Sequence, residues 1–534
     1  MEREGVTVAK AIQDSLPELR NHRGFPLRAA GIDVGSNAMR LLIAEFAGPT
    51  VWRVLEQQRV PVRLGACVFG RGRGEIEGST LDAALQALAS FRERMDDLDA
   101  PVYRAAATSA VREASNGAAF VQRVSADAGI QLETITGGEE ARLVWLAIGS
   151  RIAVDGHQWV LVDLGGGSVE VALADGDTVL WAESHAMGAV RVLAEIGQIA
   201  GNPARFRRLA GEYIDTLASR ISIETTPGTS VVATGGNIEE LARLSGAPVD
   251  DMGIARLPLK ELERTIDRLA DLSAEQRIER FGLRPDRADV ILPAALVYER
   301  IAHLTGADGL IVPNVGLKEG LLLDAMHDAW QHGEHAARQQ HDMMMGAIAL
   351  GRRFTFDESH ARHVAALAGS LFDQLSATHR LDEHDRHILL AAALLHDVGQ
   401  YISYRKHHKH SYYLISNASL PDLTPRDTLL VALVARYHRR AEPRQSHEGF
   451  ADLSESEQGR VVWLAALLRI ADALDRQHRQ HVIRVDAEVD DDELRIDVHV
   501  RGDVLLEEWA IEKKARLFTR TLGLDLTLKI RESA

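Results

Sequence analysis

The chain has 534 residues, more than one hydrophobic core can serve, and this length implies three or four domains. Its 61 Lys and Arg against 77 Asp and Glu give a net charge of −16, which disfavours a general nucleic-acid binder or a membrane-surface protein. The single cysteine, Cys67, leaves no disulfide framework and no cysteine metal site, and no apolar run approaches the ~18 residues of a membrane span. A soluble cytoplasmic protein with no membrane and no nucleic acid as partner is expected.

Residues 1–27 are polar and unpatterned, and read as a leader. From Arg28 the pattern predicts a strand, the turn Asp33-Val34-Gly35-Ser36-Asn37, a second strand over 39–46 and a third over 52–60. Residues 68–78 are glycine-rich and carry Arg71 and Arg73, a loop near which an anion could dock unless it is only solvated. A strand over 102–107 enters Thr108-Ser109-Ala110-Val111-Arg112, where a helix N-terminus offers free N–H groups and Arg112 could clamp a phosphate bidentately. Next, Gly137-Gly138-Glu139-Glu140 opens an amphipathic helix. Acidic residues in a first turn can serve only the helix dipole, but phosphoryl transfer to water also needs a carboxylate to orient and deprotonate that water.

Residues 160–173, VLVDLGGGSVEVAL, are two apolar strands around a turn. Gly165, Gly166 and Gly167 remove every Cβ from the bend, so backbone N–H groups can approach an anion, and Ser168 adds a donor. Asp163 cannot hold phosphate without a cation, which suggests Mg²⁺ or a similar hard ion; a glycine-rich hairpin without ligand is the alternative. Placing Asp33 over Asp163 aligns strand, Asp-x-Gly turn and strand in both stretches, an internal repeat whose two turns would face one cleft. A strand over 231–233 then turns at Gly235-Gly236 into a helix, with Asn237 as its expected cap and Glu240 three residues on.

The motifs DVGSN, TSAVREASN, TGGEEARL, VDLGGGSVE, ATGGNIEEL and VGLKEGLLLDA, in this order, resemble the exopolyphosphatase and guanosine pentaphosphate phosphatase family of the actin and sugar-kinase superfold. The resemblance spans 28 to about 325. It implies an α/β N-terminal half made of two ribonuclease-H-like domains, 28–140 and 141–327, and a homodimer that releases terminal phosphate from inorganic polyphosphate with Mg²⁺ or Mn²⁺. By it, Glu140 falls on the base, Arg112 on the phosphate-clamping arginine, and Asp163, Gly166 and Ser168 on the metal and phosphate positions, with Glu140 also beside the metal. Gly35, Ser36, Asn37, Gly165, Gly167 and Gly236 complete the expected substrate contacts. Guanosine pentaphosphate 5′-phosphatase activity, a polyphosphate-dependent phosphotransferase and a noncatalytic polyphosphate sensor are the other readings. Ala294 stands where the family usually has glycine, a matter of helix packing.

From about 330 the chain gains His and Arg and strong helical periodicity, predicting an all-α domain over 328–480. His360, the adjacent His396-Asp397 and Asp472 look similar to the ligand set of a divalent-metal HD phosphohydrolase, and imidazole with carboxylate suits Mg or a transition metal such as Mn, Fe or Zn. In the resembled family that pair is commonly eroded; here it is intact. An all-α scaffold, a metal-bearing noncatalytic domain and a second active site all remain open. The basic stretches around His407, Lys409 and Arg439 could bind the distal part of a polyphosphate. Residues 481–534 read as a small α/β tail domain.

Overall fold

The computed structural model describes residues 26–532 apart from 49–50, 70–73, 155–156, 177, 201, 220, 222, 224, 227, 331, 419, 421–422, 440 and 491–492. The leader up to residue 25 and the arginines of the 68–78 loop therefore lie outside the described residues. Among the described residues no helix is long and apolar enough to cross a membrane.

Two sheets organise the part of the chain up to residue 335, which apart from 178–182 forms the first compact unit. The first contains β1 (Leu27–Val34), β2 (Met39–Gly48), β3 (Val51–Val60), β4 (Val102–Ala107) and β5 (Leu132–Thr134), in the order β3-β2-β1-β4-β5. The second contains β6 (Gln158–Leu164), β7 (Val169–Asp175), β8 (Thr178–His185), β9 (Ser230–Thr234), β10 (Ala255–Pro258) and β11 (Gly309–Val312), in the order β10-β11-β9-β6-β7-β8. In each, a central strand pairs antiparallel with the next strand and parallel with a later one: β1 with β2 and β4, β6 with β7 and β9. β1 and β6 are buried along nearly their whole length, as strands covered on both faces must be, so their apolar runs do not alternate. The internal repeat read from the sequence is thus a repeat of topology.

Register then sets the chemistry. Asp33 stands opposite Arg40 across the first hairpin, and Asp163 stands opposite Glu170 across the second. Equivalent positions of one architecture carry a cation in one half and a carboxylate in the other.

Three expectations change. The helix Leu317–Trp330, whose start falls inside the expected second domain 141–327, packs on the first sheet: Leu322, Leu323 and Met326 share a core with Ala29, Leu42, Ala44 and Phe46. A Cβ on Gly31 would lie 2.2 Å from Lys318 O, so glycine there permits the approach. Likewise the helix Gly137–Gly149 runs through the expected boundary at 140. Asn237 does not cap the following helix; Gly235, at φ 106°, is the cap residue and Glu240 pairs with Arg243 and Arg287 instead. Ala294 is fully buried in the helix Ile291–Thr305.

Residues 336–534 make most of a second compact unit. Its helices include Glu358–Gln374, Glu383–Leu395, His407–Ser416, Pro425–Arg436 and Glu455–Ala473, followed by β12 (Val482–Asp490), β13 (Glu493–Val500), the helix Leu505–Leu522 and β14 (Asp525–Glu532). The predicted strand-helix-strand tail is present but is not a separate domain. Val485, Ile496, Val498, Leu517 and Phe518 belong to the same continuous core as Val364, Leu389 and Leu467, because a three-stranded sheet needs a partner layer for its apolar face.

A Cβ on Gly320 would lie 2.0 Å from Leu143 O, which makes this glycine the contact between the helix Leu317–Trp330 and the helix Gly137–Gly149. In Gly320→Ala, overpacking of about 1–3 kcal/mol outweighs the ~1 kcal/mol gained in helix propensity. The expected result is a lower melting temperature, read by calorimetry.

Candidate functional site

Both Asp-x-Gly turns are built by the same device. The first turn's carbonyls are taken by the chain that follows β3: Arg63 N–H donates to Asn37 O at 3.2 Å and Gly65 N–H to Ser36 O at 2.7 Å. The second turn's carbonyls are taken by the start of the helix Ala189–Ala200: Val190 N–H donates to Gly166 O at 2.8 Å and Gly188 N–H to Gly167 O at 3.3 Å. These bonds fix both turns in place, and Gly165 N–H closes the second turn on Ser168 O at 3.0 Å. A Cβ on Gly166 would lie 3.0 Å from Ser36 Cβ and 3.3 Å from Asn37 N, so the two turns face each other closely. Between them opens a cavity of about 430 Å³ lined by Gly35, Ser36, Asn37, Gly165, Gly166 and Gly236, by Asp33, Asp163 and Glu140, and by Arg40, Arg59, Arg287 and Lys318.

The glutamate pair separates cleanly. Glu139 is locked in a buried ion-pair network: Arg142 Nε donates to its Oε2 at 2.8 Å, Arg104 Nη2 lies 2.9 Å from its Oε1, and both arginines also bind Asp324. Although burial opposes it, Arg142 and Arg104 hold the Glu139 carboxyl below the usual range. Glu140, one residue on, lines the cavity, and its buried Oε2 has no hydrogen-bond partner. Burial, then the charge of Glu170, pushes the Glu140 carboxyl well above the ordinary range. Arg112 gives Nη1 to Ile135 O at 2.7 Å and stands 3.9 Å from Glu140 Oε2, so it supports that carboxylate from beside the cavity.

Carboxylate oxygens of Glu140, Asp163 and Glu170 lie within 4.8 Å of one another. Asp163 Oδ1 accepts from Thr234 Oγ1 at 2.6 Å, and burial with Glu170 nearby pushes Asp163 up to about 7. Glu170 Oε1 accepts from Ser168 and Ser184, each at 2.7 Å, while its buried Oε2 has no partner. Ser168, expected on phosphate, is therefore occupied with Glu170, and Gly167 serves packing, since a Cβ there would meet Phe69 and Ser109 at 2.3–2.4 Å. Glu170 escaped the sequence reading, yet a carboxylate inside the buried apolar strand VEVALAD was a legible signal. Arg40, whose Nη1 donates to Asp33 Oδ2 at 2.6 Å, was hidden because only strand register brings it there.

In the second unit, Nε2 of His360 and of His396 lie 3.7 and 3.8 Å from Asp472 Oδ1, and Asp397 Oδ2 is 3.8 Å from His396 Nε2. His407 is not the surface phosphate binder expected. It is buried, with Nε2 2.9 Å from Asp397 Oδ1, because the helix His407–Ser416 packs this face inward; His438 joins it at 3.5 Å. Lys409 is exposed, and Arg439 lies over the Tyr404 ring at the wall of a cavity of about 210 Å³. Lys514 pairs with the other oxygen of Asp472.

The profile of the Ppx/GppA phosphatase family matches residues 43–329, and that of Ppx/GppA phosphatase domain III matches residues 344–514. The chain belongs to the Ppx/GppA phosphatase family. Two solved structures show the extent of similarity. An exopolyphosphatase from Cytophaga hutchinsonii ATCC 33406 is 26% identical with a TM-score of 0.51, over 57% of this chain and 98% of that one. A family member from Aquifex aeolicus is 25% identical with a TM-score of 0.50, over 57% and 99%. Members of the family are phosphatases, which suits a cavity lined by two glycine turns, basic side chains and an unpartnered carboxylate.

Two measurements separate the roles. In EDTA, Glu139→Gln leaves buried Arg142 and half-buried Arg104 short of one carboxylate and loses about 3 kcal/mol in urea unfolding, whereas Glu140→Gln, which removes a crowded charge, is no less stable than wild type. Asp163 keeps its proton up to about 7 when folded but only to about 4 when unfolded, so the folded chain binds the extra proton between those values. Stability in EDTA then falls as pH rises through that window, and Asp163→Asn flattens the melting temperature profile.

Proposed function

We propose that this phosphatase is an exopolyphosphatase that releases terminal phosphate from inorganic polyphosphate with Mg²⁺ or Mn²⁺. The observation that carries the reading is the unpartnered, buried Glu140 carboxylate facing a cavity between two anion-accepting turns. The metal reading is supported by the donor set: three crowded carboxylates with two buried oxygens unpartnered suit a hard divalent cation. Asp163 and Glu170 would hold the ion, which when bound offsets charge on the phosphoryl oxygens.

Glu140 then accepts a proton from water as that water attacks the terminal phosphorus, and inorganic phosphate leaves with the chain one unit shorter. The turn N–H groups receive the phosphoryl oxygens in a cleft where no donor has to reorganise. Arg40, Arg59 and Arg287 each already share a carboxylate, with Asp33, Asp286 and Glu240, yet a guanidinium has five donors and can serve a phosphate as well. Polyphosphate is favoured over guanosine pentaphosphate because no aromatic side chain is among the described lining residues, and a guanine base has no ring to stack on.

Phosphate release from long polyphosphate is expected to stop in EDTA, return with Mg²⁺ or Mn²⁺, and fall by about 10²-fold or more in Glu140→Gln with little change in KM. Wild-type rates in Glu140→Gln, faster release from guanosine pentaphosphate, or phosphate appearing on ADP instead of in solution would each overturn this assignment.

A further inference from the structure

Four histidines of the second unit are held in one tautomer. The ring Nδ1 of His396 lies 2.7 Å from Ala393 O, that of His407 3.0 Å from Tyr404 O and that of His438 2.6 Å from Ala435 O. A carbonyl only accepts, so each Nδ1 carries the hydrogen and each neutral ring presents a bare lone pair at Nε2. His360 is fixed in the same way by Asp475 Oδ2, 2.9 Å from its Nδ1.

All four Nε2 atoms are directed at Asp397 and Asp472. His407 Nε2 and His438 Nε2 face each other at 3.2 Å, and the buried Nε2 atoms of His360 and His396 have no hydrogen-bond partner. Lone pairs set against lone pairs and carboxylates repel unless cations lie between them. Lys514 meets Asp472 Oδ2 and Gln400 Nε2 donates to Asp397 Oδ2, but one shared proton relieves only one pair of the four Nε2 atoms.

The atoms fall into two groups. His360, His396 and Asp472 form one cluster and Asp397, His407 and His438 another, each within 4.8 Å. Asp397 turns Oδ2 toward His396 and Oδ1 toward His407 and His438. Ligands ~2.1 Å from one ion are about 3.0–3.4 Å apart, so the observed 2.9–3.8 Å separations need only a small contraction.

We propose that this unit holds a dinuclear metal centre, bridged by Asp397 between an ion at His360, His396 and Asp472 and an ion at His407 and His438, and that the centre hydrolyses small phosphate monoesters. The imidazoles favour Fe or Zn over Mg, and the carboxylates of Asp397 and Asp472 also admit Mn. The outer hydrogen bonds already described orient each ring, as metal-ligating imidazoles require. Asp397, His407, His438 and Asp472 open onto the 210 Å³ cavity, with Arg439 and Arg476 on its wall. Paired cations clamp the attacking and leaving oxygens of an in-line displacement, and arginines take the remaining phosphoryl oxygens bidentately. The space is below the ~300 Å³ of an ordinary ligand pocket, so it takes a phosphoryl group whose leaving alcohol stays toward the mouth. Water attacks phosphorus, the P–O bond to the alcohol breaks, and the protons of water end on the leaving oxygen and on inorganic phosphate. No other reactant is needed.

The test uses the full chain carrying Glu140→Gln and Asp163→Asn, so that the first cavity contributes neither metal nor hydrolysis. After loading with Mn²⁺ and desalting, about two Mn per chain, a spin-coupled Mn pair in the EPR spectrum, and faster hydrolysis of p-nitrophenyl phosphate than of bis(p-nitrophenyl) phosphate are expected. Adding His438→Gln or His407→Gln should leave one uncoupled Mn and reduce ester hydrolysis about 100-fold or more, with circular dichroism reporting that the fold persists. One Mn or none, an uncoupled spectrum, no ester hydrolysis, or preference for the diester would overturn the proposal. These results in the parent protein decide the matter even if a histidine variant fails to fold.

Discussion

Three buried carboxylates share a space that holds too few donors for them, and this crowding governs the first unit. Glu140, Asp163 and Glu170 arrive on a helix and on two neighbouring strands. Thr234, Ser168 and Ser184 satisfy part of their acceptor capacity and leave Glu140 Oε2 and Glu170 Oε2 bare. Buried charge without compensation is costly, so the fold must hold the three together by force from elsewhere. That force comes from one residue away, where Glu139, Arg142, Arg104 and Asp324 tie the Gly137–Gly149 helix to the Leu317–Trp330 helix and to β4.

Duplication of a hairpin with one changed sign makes the cleft asymmetric. In the first half Asp33 meets Arg40 and is neutralised. In the second, Asp163 meets Glu170 and the negative charge accumulates. Two otherwise equivalent turns, each with its carbonyls bound from behind by the segment that follows, therefore present one neutral and one acidic wall to the same space.

The second unit uses the opposite economy. Its helices bury imidazoles instead of carboxylate crowds, and backbone carbonyls one turn earlier orient them: Ala393 for His396, Tyr404 for His407 and Ala435 for His438. Each is an i to i−3 contact. Local backbone geometry at helix ends thus sets ring direction before any long-range packing brings the rings together.

Much of this was legible residue by residue. The glycine turns, the strand-turn-strand repeat, the family motifs and the His396-Asp397 pair are local patterns, and local sterics and capping chemistry dictate what they form. Which of two adjacent glutamates faces the cleft was not legible by spacing, since it depends on where Arg104 and Asp324 come to lie. The burial of His407 and the merging of the tail with the helical core were likewise decided by packing between segments, whereas Ser168 is drawn to Glu170 only two residues on. Sequence by itself determined the turns, the helices and the reactive residue types, because these follow from backbone freedom and periodicity over a few residues. Tertiary structure alone decided which charges are paired and which are left bare, because that depends on strand register for Asp33 and Arg40 and on the arrival of Asp324, far along the chain, for Arg104 and Arg142.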